Sequence, residues 1–215
     1  MEVLTTPAEV LAEKGHKWTV HTKIEKYNDD ASVLRGVPDE VQEIENNMLL
    51  NQGINLLWSL VAGAPGLQPF NAANAHIGVG NNDDGTVQPS ATDAGLKGPL
   101  KMYMKMDDEY PKYGDNQKIV FRSTFNPGVA CFNWYEWTVA NGNGNHNGSR
   151  AWDQDEVRTQ AVGDDPIPDP LPVEHDAWEY GVGEENVINL NRRQENMGKK
   201  YASATWIVTV EISLS

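Results

Sequence analysis

Residues 204–215 read ATWIVTVEISLS. In an extended chain Trp206, Val208, Val210, Ile212 and Leu214 face one way, and Ile207, Thr209, Glu211 and Ser213 face the other. A period of two with β-branched and aromatic residues on the apolar side marks a strand lying on a core. The same alternation recurs upstream. KIVFRSTFN (118–126) puts Ile119, Phe121, Ser123 and Phe125 on one face. VACFNWYEWTVA (129–140) sets Ala130, Phe132, Trp134 and Glu136 opposite Cys131, Asn133, Tyr135 and Trp137. Aromatics on both faces predict a central strand covered on each side. Residues 100–106 (LKMYMKM) alternate as well, as do Ala73, Ala75, Ile77 and Val79 before the NNDDG turn at 81–85. Near the start, KWTVHTKIEKY (17–27) alternates Trp18, Val20, Thr22 and Ile24 with Thr19, His21, Lys23 and Glu25.

Two segments read as helix. Residues 7–14 (PAEVLAEK) have Pro7 in the first turn and Gly15 past the end. Residues 39–62 form the stronger candidate. Pro38 and Asp39 open it, Glu40 and Glu43 suit the positive end of the dipole, and Val41, Ile44, Met48, Ile54, Leu57, Trp58 and Val61 recur at spacings of three to six. Gly63 and Pro65 then stop it. The expected architecture is mainly β: a β-sandwich- or jelly-roll-like domain with one long N-terminal α-helix packed on it. Residues 1–36 form an N-terminal arm of short helix and strand. Residues 37–215 form the sandwich-like domain, interrupted by a long loop insertion at 141–185. The expected core is Leu57, Trp58, Ile77, Phe121, Phe125, Phe132, Trp134, Trp206, Val208 and Val210.

The insertion runs from NGNGNHNGS to DDPIPDPLP, rich in Pro, Asp and Gly and without periodicity. Long structureless connections in compact domains are usually functional or disordered. His146, Trp152, Trp178 and Tyr180 lie in it and are its candidate interface residues, since aromatics in a polar loop pack on something.

Charge and composition exclude several roles. The formal net charge is -14, which repels phosphate and argues against direct contact with nucleic acid. No run of 18 apolar residues predicts a membrane span, and the first residues lack the basic start and apolar stretch of a secretory signal. Cys131 is the single cysteine, so an intrachain disulfide and a cysteine-rich zinc site are both excluded. It reads as a packed thiol beside Phe132 and Trp134.

Catalytic signatures are missing. There is no GxSxG, GxxxxGK[ST], HExxH, or GxGxxG after a strand. His16, His21, His76, His146 and His175 are scattered, with His21 and His76 on the polar faces of their strands. Acidic clusters at Asp83–Asp84, Asp107–Glu109, Asp153–Glu156 and Asp164–Asp169 offer carboxylates for a glycosidase or a calcium site, but none completes such a motif. Turn chemistry accounts for Asp and Asn beside Gly and Pro. No catalytic residue, metal ligand or cofactor is assigned.

A more specific pattern runs through NLLW (55–58), FNAANAHIGVGN (70–81), ATDAGL (91–96), YPKYGDNQKIVFRSTF (110–125), ACFNWYEWTVANG (130–142), INLNRR (188–193) and the C-terminal strand. It resembles structural proteins of tailed-bacteriophage virions. In these a helix leads into an NAxIGVG strand, FRxTF and FxWxEW strands follow, and a WxxTV strand ends the chain. The likeness covers roughly residues 40–140 and 186–215; the first 35 residues and the insertion fall outside it. It implies a non-enzymatic virion component, accessory to capsid (decoration) or tail, assembled in the host cytoplasm. Its partners would be copies of itself and other virion proteins, in a homo-oligomer within the particle. The alternative is a glycan- or receptor-binding module of the virion, with the loop aromatics as its platform. A glycan depolymerase is a third class, for which no acid pair is singled out.

Overall fold

The computed structural model describes residues 18–86, 88–98, 100–114, 116–142 and 187–214. Two antiparallel sheets pack face to face. In chain order the elements are β1 (Trp18–Tyr27), α1 (Asp30–Arg35), β2 (Glu40–Glu45), β3 (Met48–Leu49), α2 (Asn51–Val61), β4 (Ala75–Gly80) and β5 (Lys101–Lys105), followed by β6 (Lys112–Tyr113), β7 (Lys118–Phe125), β8 (Asn133–Asn141), β9 (Ile188–Asn189), β10 (Asn191–Lys199) and β11 (Thr205–Leu214). One sheet has the order β2-β1-β11-β7-β6; the other runs β3-β10-β8-β4-β5, with β9 paired to β8.

The strand ATWIVTVEISLS forms as its alternation requires. Trp206, Val208, Val210 and Ile212 are buried, with β1 on one side and β7 on the other. They meet Ile77, Val79, Met102, Met104, Trp137 and Val139 of the facing sheet in one continuous core. At its centre Trp134 stacks edge-on against Phe125 and Trp206, each with ring centroids 4.7 Å apart. Such T-shaped contacts suit the ring quadrupoles and add to the apolar burial. The Trp134 indole N–H donates to Ala130 O at 2.9 Å, so its polar edge is satisfied inside the core.

Three expectations need correction. The long N-terminal helix over 39–62 does not form as one element. Its first half is strand β2, which pairs with β1 and turns Ile44 inward; β3 follows, and only Asn51–Val61 is helical. A spacing of three between Val41 and Ile44 fits a helix, but the edge of β1 offers a ladder of backbone bonds, and pairing overrides propensity there. Asn46, at φ 64°, breaks the chain between β2 and β3, a conformation that asparagine tolerates better than most residues. Second, Trp58 is not core: it is 67% exposed. Leu57, its neighbour, is half-buried and packs against the core. Third, the described part of the expected arm, β1, lies between β2 and β11 and supplies Val20 and Ile24 to the core. That strand belongs to the sheet. The proposed helix at 7–14 lies outside the described residues.

Helix α1 was not expected. Asp29 caps it, its side chain accepting from Ser32 N–H while the Ser32 hydroxyl oxygen receives the Asp29 N–H, and Gly36 closes it in the left-handed region at φ 65°. This is a capping box with serine in the third position.

Candidate functional site

Of the residues assigned to an interface from sequence, His146, Trp152, Trp178 and Tyr180 all lie outside the described residues. The ends of that insertion are described: Asn141 on β8 pairs with Ile188 on β9. The chain therefore leaves and re-enters the sheet on adjacent strands. The two histidines placed on polar strand faces have different surroundings. His21 Nδ1 lies 2.7 Å from Glu45 Oε1 on the open face of the first sheet. His76 is buried, with Nδ1 2.9 Å from Asn74 O.

The outer face of the second sheet carries a buried ionic cluster that sequence reading missed. Arg192 on β10 and Glu136 on β8 are both fully buried. The guanidinium donates from Nε to Glu136 at 2.9 Å and from Nη2 at 2.8 Å, from Nη1 to Asp93 at 3.0 Å, and to Gln194 at 2.7 Å. Glu136 also accepts the backbone N–H groups of Lys97, at 2.9 and 3.0 Å, and Gly98, at 2.6 Å. Gly80 beside it has no Cβ, and one there would strike the Glu136 carboxylate. Burial pushes the Asp93 carboxyl up, but Lys97, the Ser90 N–H and Arg192 together hold it below the usual carboxylate range.

Chemically this cluster is a clamp. Every oxygen of Glu136 is already engaged, so it has no lone pair free for proton transfer. What it fixes is the segment from Ser90 to Gly98, held across the sheet. Its signal was present in the sequence as Glu136 inside an aromatic strand and Arg192 inside INLNRR. Simple alternation placed Glu136 on the face of Trp134. Between β8 and β10 the register shifts: Gln194 pairs with Glu136, whereas Gly198 pairs with Trp134. Trp134 and Trp137, three residues apart on β8, both enter the core, so strict alternation breaks between them.

Lys200 is a second buried charge. Its ammonium donates to Asn126 O at 2.9 Å and Ala204 O at 2.6 Å. Burial lowers its pKa from 10.5 to about 8, partly opposed by Cys131 nearby. Cys131 is buried, as its apolar neighbours suggested.

Among the described residues no group of three or more His, Cys, Asp or Glu side chains converges as a metal site. In the NNDDG turn Asp84 accepts from the Thr86 N–H at 3.0 Å and from the Thr86 hydroxyl. These bonds lower its pKa and give it a local turn role. The Asp153 and Asp155 pair lies outside the described residues.

Among the described residues an apolar groove is open to a partner. Where β1 begins and β11 ends, a groove of about 390 Å³ opens between the sheets. Trp18, Phe121 and Ile212 line it from the first sheet, Leu190 from the second, and Leu57 and Phe70 close its side. The aromatic rings of Phe70 and Phe121 meet edge-on at 5.9 Å. Beside the groove, Trp58 and Val61 on α2 and Leu214 at the end of β11 are exposed. Gly53 lets α2 approach this closely, because a Cβ there would collide with the Leu190 backbone.

Compared with known proteins, the chain matches no family model, no curated protein and no solved structure.

Proposed function

We propose that this chain is a non-enzymatic structural component of a tailed-phage virion, accessory to capsid or tail, acting through protein–protein contacts. The observation that carries the reading is apolar surface left at the ends of two rigid sheets. The chain is strongly acidic, yet Trp58, Val61 and Leu214 stand exposed around an apolar groove. Apolar clusters of this kind on a polar surface mark interaction sites. The virion location rests on the sequence resemblance, whose NAxIGVG, FRxTF, FxWxEW and WxxTV segments supply β4, β7, β8 and β11. A jelly-roll-like winding belongs to the same reading and is supported by the pairing of β1 with β11.

The test is quantitative mass spectrometry of gradient-purified particles of the phage that encodes the chain. Its peptides are expected at a fixed stoichiometry. Copies on the order of hundreds place it on the capsid, and a dozen or fewer on the tail or neck, since symmetry fixes the numbers. Peptides found only in the lysate supernatant overturn the proposal.

A further inference from the structure

The groove opens where the described chain begins. Trp18, the first residue of β1, lines it beside its strand partner Leu214. Residues 1–17 therefore join the sheet at the rim of the groove. Charge selects nothing here: Lys118, the one charged side chain among the lining residues, is already paired with Glu211 at 2.7 Å. What the groove offers is apolar surface and one unmet hydrogen bond. The Trp18 indole N–H is shielded from solvent and has no acceptor among the described residues. A shielded donor without an acceptor costs free energy, so an occupant that brings a carbonyl is favoured.

The sequence just upstream meets both demands. Within residues 7–14, Pro7, Val10 and Leu11 fall on one face of a helix, with Glu9 and Glu13 on the opposite one; Val3 and Leu4 precede it. Thr6 and Glu9 have the spacing of a capping box, with Pro7 at the first helical position and Gly15 past the end. The last four carbonyls of such a helix, at residues 11–14, have no partner within it. They precede Trp18 by only a few residues, so a turn at Gly15 brings one of them back to the indole N–H.

Connectivity favours this segment over any free partner. A helix over residues 7–14 spans about 12 Å. Gly15, His16 and Lys17 join it to Trp18, a connection length usual between a helix and a strand. So tethered, the segment meets the groove at an effective concentration on the order of millimolar.

We propose that residues 3–14 of this chain occupy its own groove. Val10 and Leu11 seat among Trp18, Leu57 and Ile212, and a carbonyl from residues 11–14 accepts the Trp18 indole N–H. A partner that binds in the groove must first displace this segment, and it gains access only to the fraction of molecules in which the segment is released. Trp58 and Val61 do not line the groove and keep their exposed face for the contacts proposed above. The inference goes beyond the virion reading and does not depend on it.

The test uses the full chain. Lys14 falls on the helix face of Val10 and Leu11, so Lys14→p-benzoylphenylalanine sets a photoreactive ring there and keeps both anchors. Irradiation is expected to give an adduct at monomer mass, joined to groove residues such as Leu57, Ile119 or Ile212. A second measurement reads the cover by titration with anilinonaphthalene sulfonate, a dye that binds open apolar surface. Val10→Asp combined with Leu11→Asp is expected to bind the dye at least about tenfold more tightly than the parent, since apparent affinity follows the open fraction. Ala12→Asp, off that face, is expected to match the parent, and a cooperative urea transition verifies that the sheets of each variant are folded. The proposal is overturned if no groove residue is joined, or if adducts form only at dimer mass, which makes a second copy's segment the occupant. It is equally overturned if the double variant binds the dye no more tightly than the parent or Ala12→Asp. None of these results bears on particle stoichiometry, and absence of the chain from particles removes only the virion reading.

Discussion

Replacing Arg192 with methionine keeps most of the stem's packing and removes the guanidinium. In the native chain that group is fully buried and bonds to Glu136, Asp93 and Gln194. Without it Glu136 retains only the N–H groups of Lys97 and Gly98, and its charge sits inside the protein uncompensated. Breaking one side of a buried pair in this way costs about 3–5 kcal/mol. Set against the roughly 5–15 kcal/mol that holds a domain folded, the loss is large. For a chain of this size it lowers Tm by about 10 °C or more. A second change, Glu136→Gln, removes the stranded charge yet leaves an amide oxygen for Lys97 and Gly98. The double variant is therefore expected to be about 2 kcal/mol more stable than the two single losses would sum to. Urea denaturation followed by tryptophan fluorescence measures all four corners of the cycle, because Trp134 and Trp137 are fully buried reporters. An Arg192→Met variant within about 1 kcal/mol of the parent, or strictly additive losses, refutes the clamp.

Lys200 gives stability a pH dependence whose sign is fixed. Its folded pKa of about 8 lies below the ordinary 10.5, so the unfolded chain binds more protons between those values and stability rises with pH across that window, by roughly 3 kcal/mol in all. In Lys200→Met this rise is expected to vanish, as urea midpoints taken from pH 7 to 10.5 would show; an unchanged slope contradicts it. Gly53→Ala reverses the usual rule that alanine stabilises a helix interior by about 1 kcal/mol. The added Cβ meets the Leu190 backbone, so a loss of about 1–3 kcal/mol is expected from overpacking, and a rise in Tm refutes the close approach. Excising residues 143–186 and joining Gly142 to Val187 through a short turn is expected to leave the sheets folded, since Asn141 and Ile188 are already paired. Loss of the cooperative transition would show that the insertion belongs to the core.

The strands were legible because their burial alternates in the chain itself. β1, β4, β5, β7 and β11 all fall where period-two patterning puts them, and Phe121, Phe125, Trp206, Val208 and Val210 are buried as expected. The helix at 39–62 was misread because EVQEIE carries acids and apolar residues at a spacing that either state accepts; what decides is the open edge of β1, which only the fold supplies. Trp58 differs for a related reason: a large apolar residue in a helix reads as core, but the inward side of α2 is Gly53 and Leu56, with Trp58 outside. The ionic clamp was not legible because its members are far apart in sequence and because alternation breaks on β8 between Trp134 and Trp137, both of which are in the core.

The position of the clamp bears on how the ends can act. Gly78 and Gly80 of β4 leave space on the outer face of the second sheet, which Tyr103, Thr138 and Glu136 fill. The segment from Ser90 to Gly98 is tied there by Arg192 through Asp93 and by Glu136 through two backbone N–H groups. The Ala91 carbonyl in turn accepts the Asn51 N–H at 2.8 Å, at the first turn of α2, and Gln52 donates to Ala94 O at 2.8 Å. The clamp is thus connected by a short chain of bonds to the helix that carries Leu57, Trp58 and Val61. If that chain of bonds sets the seat of α2, then Arg192→Met loosens the groove wall while leaving α1, capped at the far end of β1, unchanged. Hydrogen exchange read by mass spectrometry is then expected to quicken in residues 51–61 of this variant and to stay at the parent's rate in residues 30–35. Unchanged protection of α2 in that variant would show that the network stabilises the sheet alone and does not position the groove.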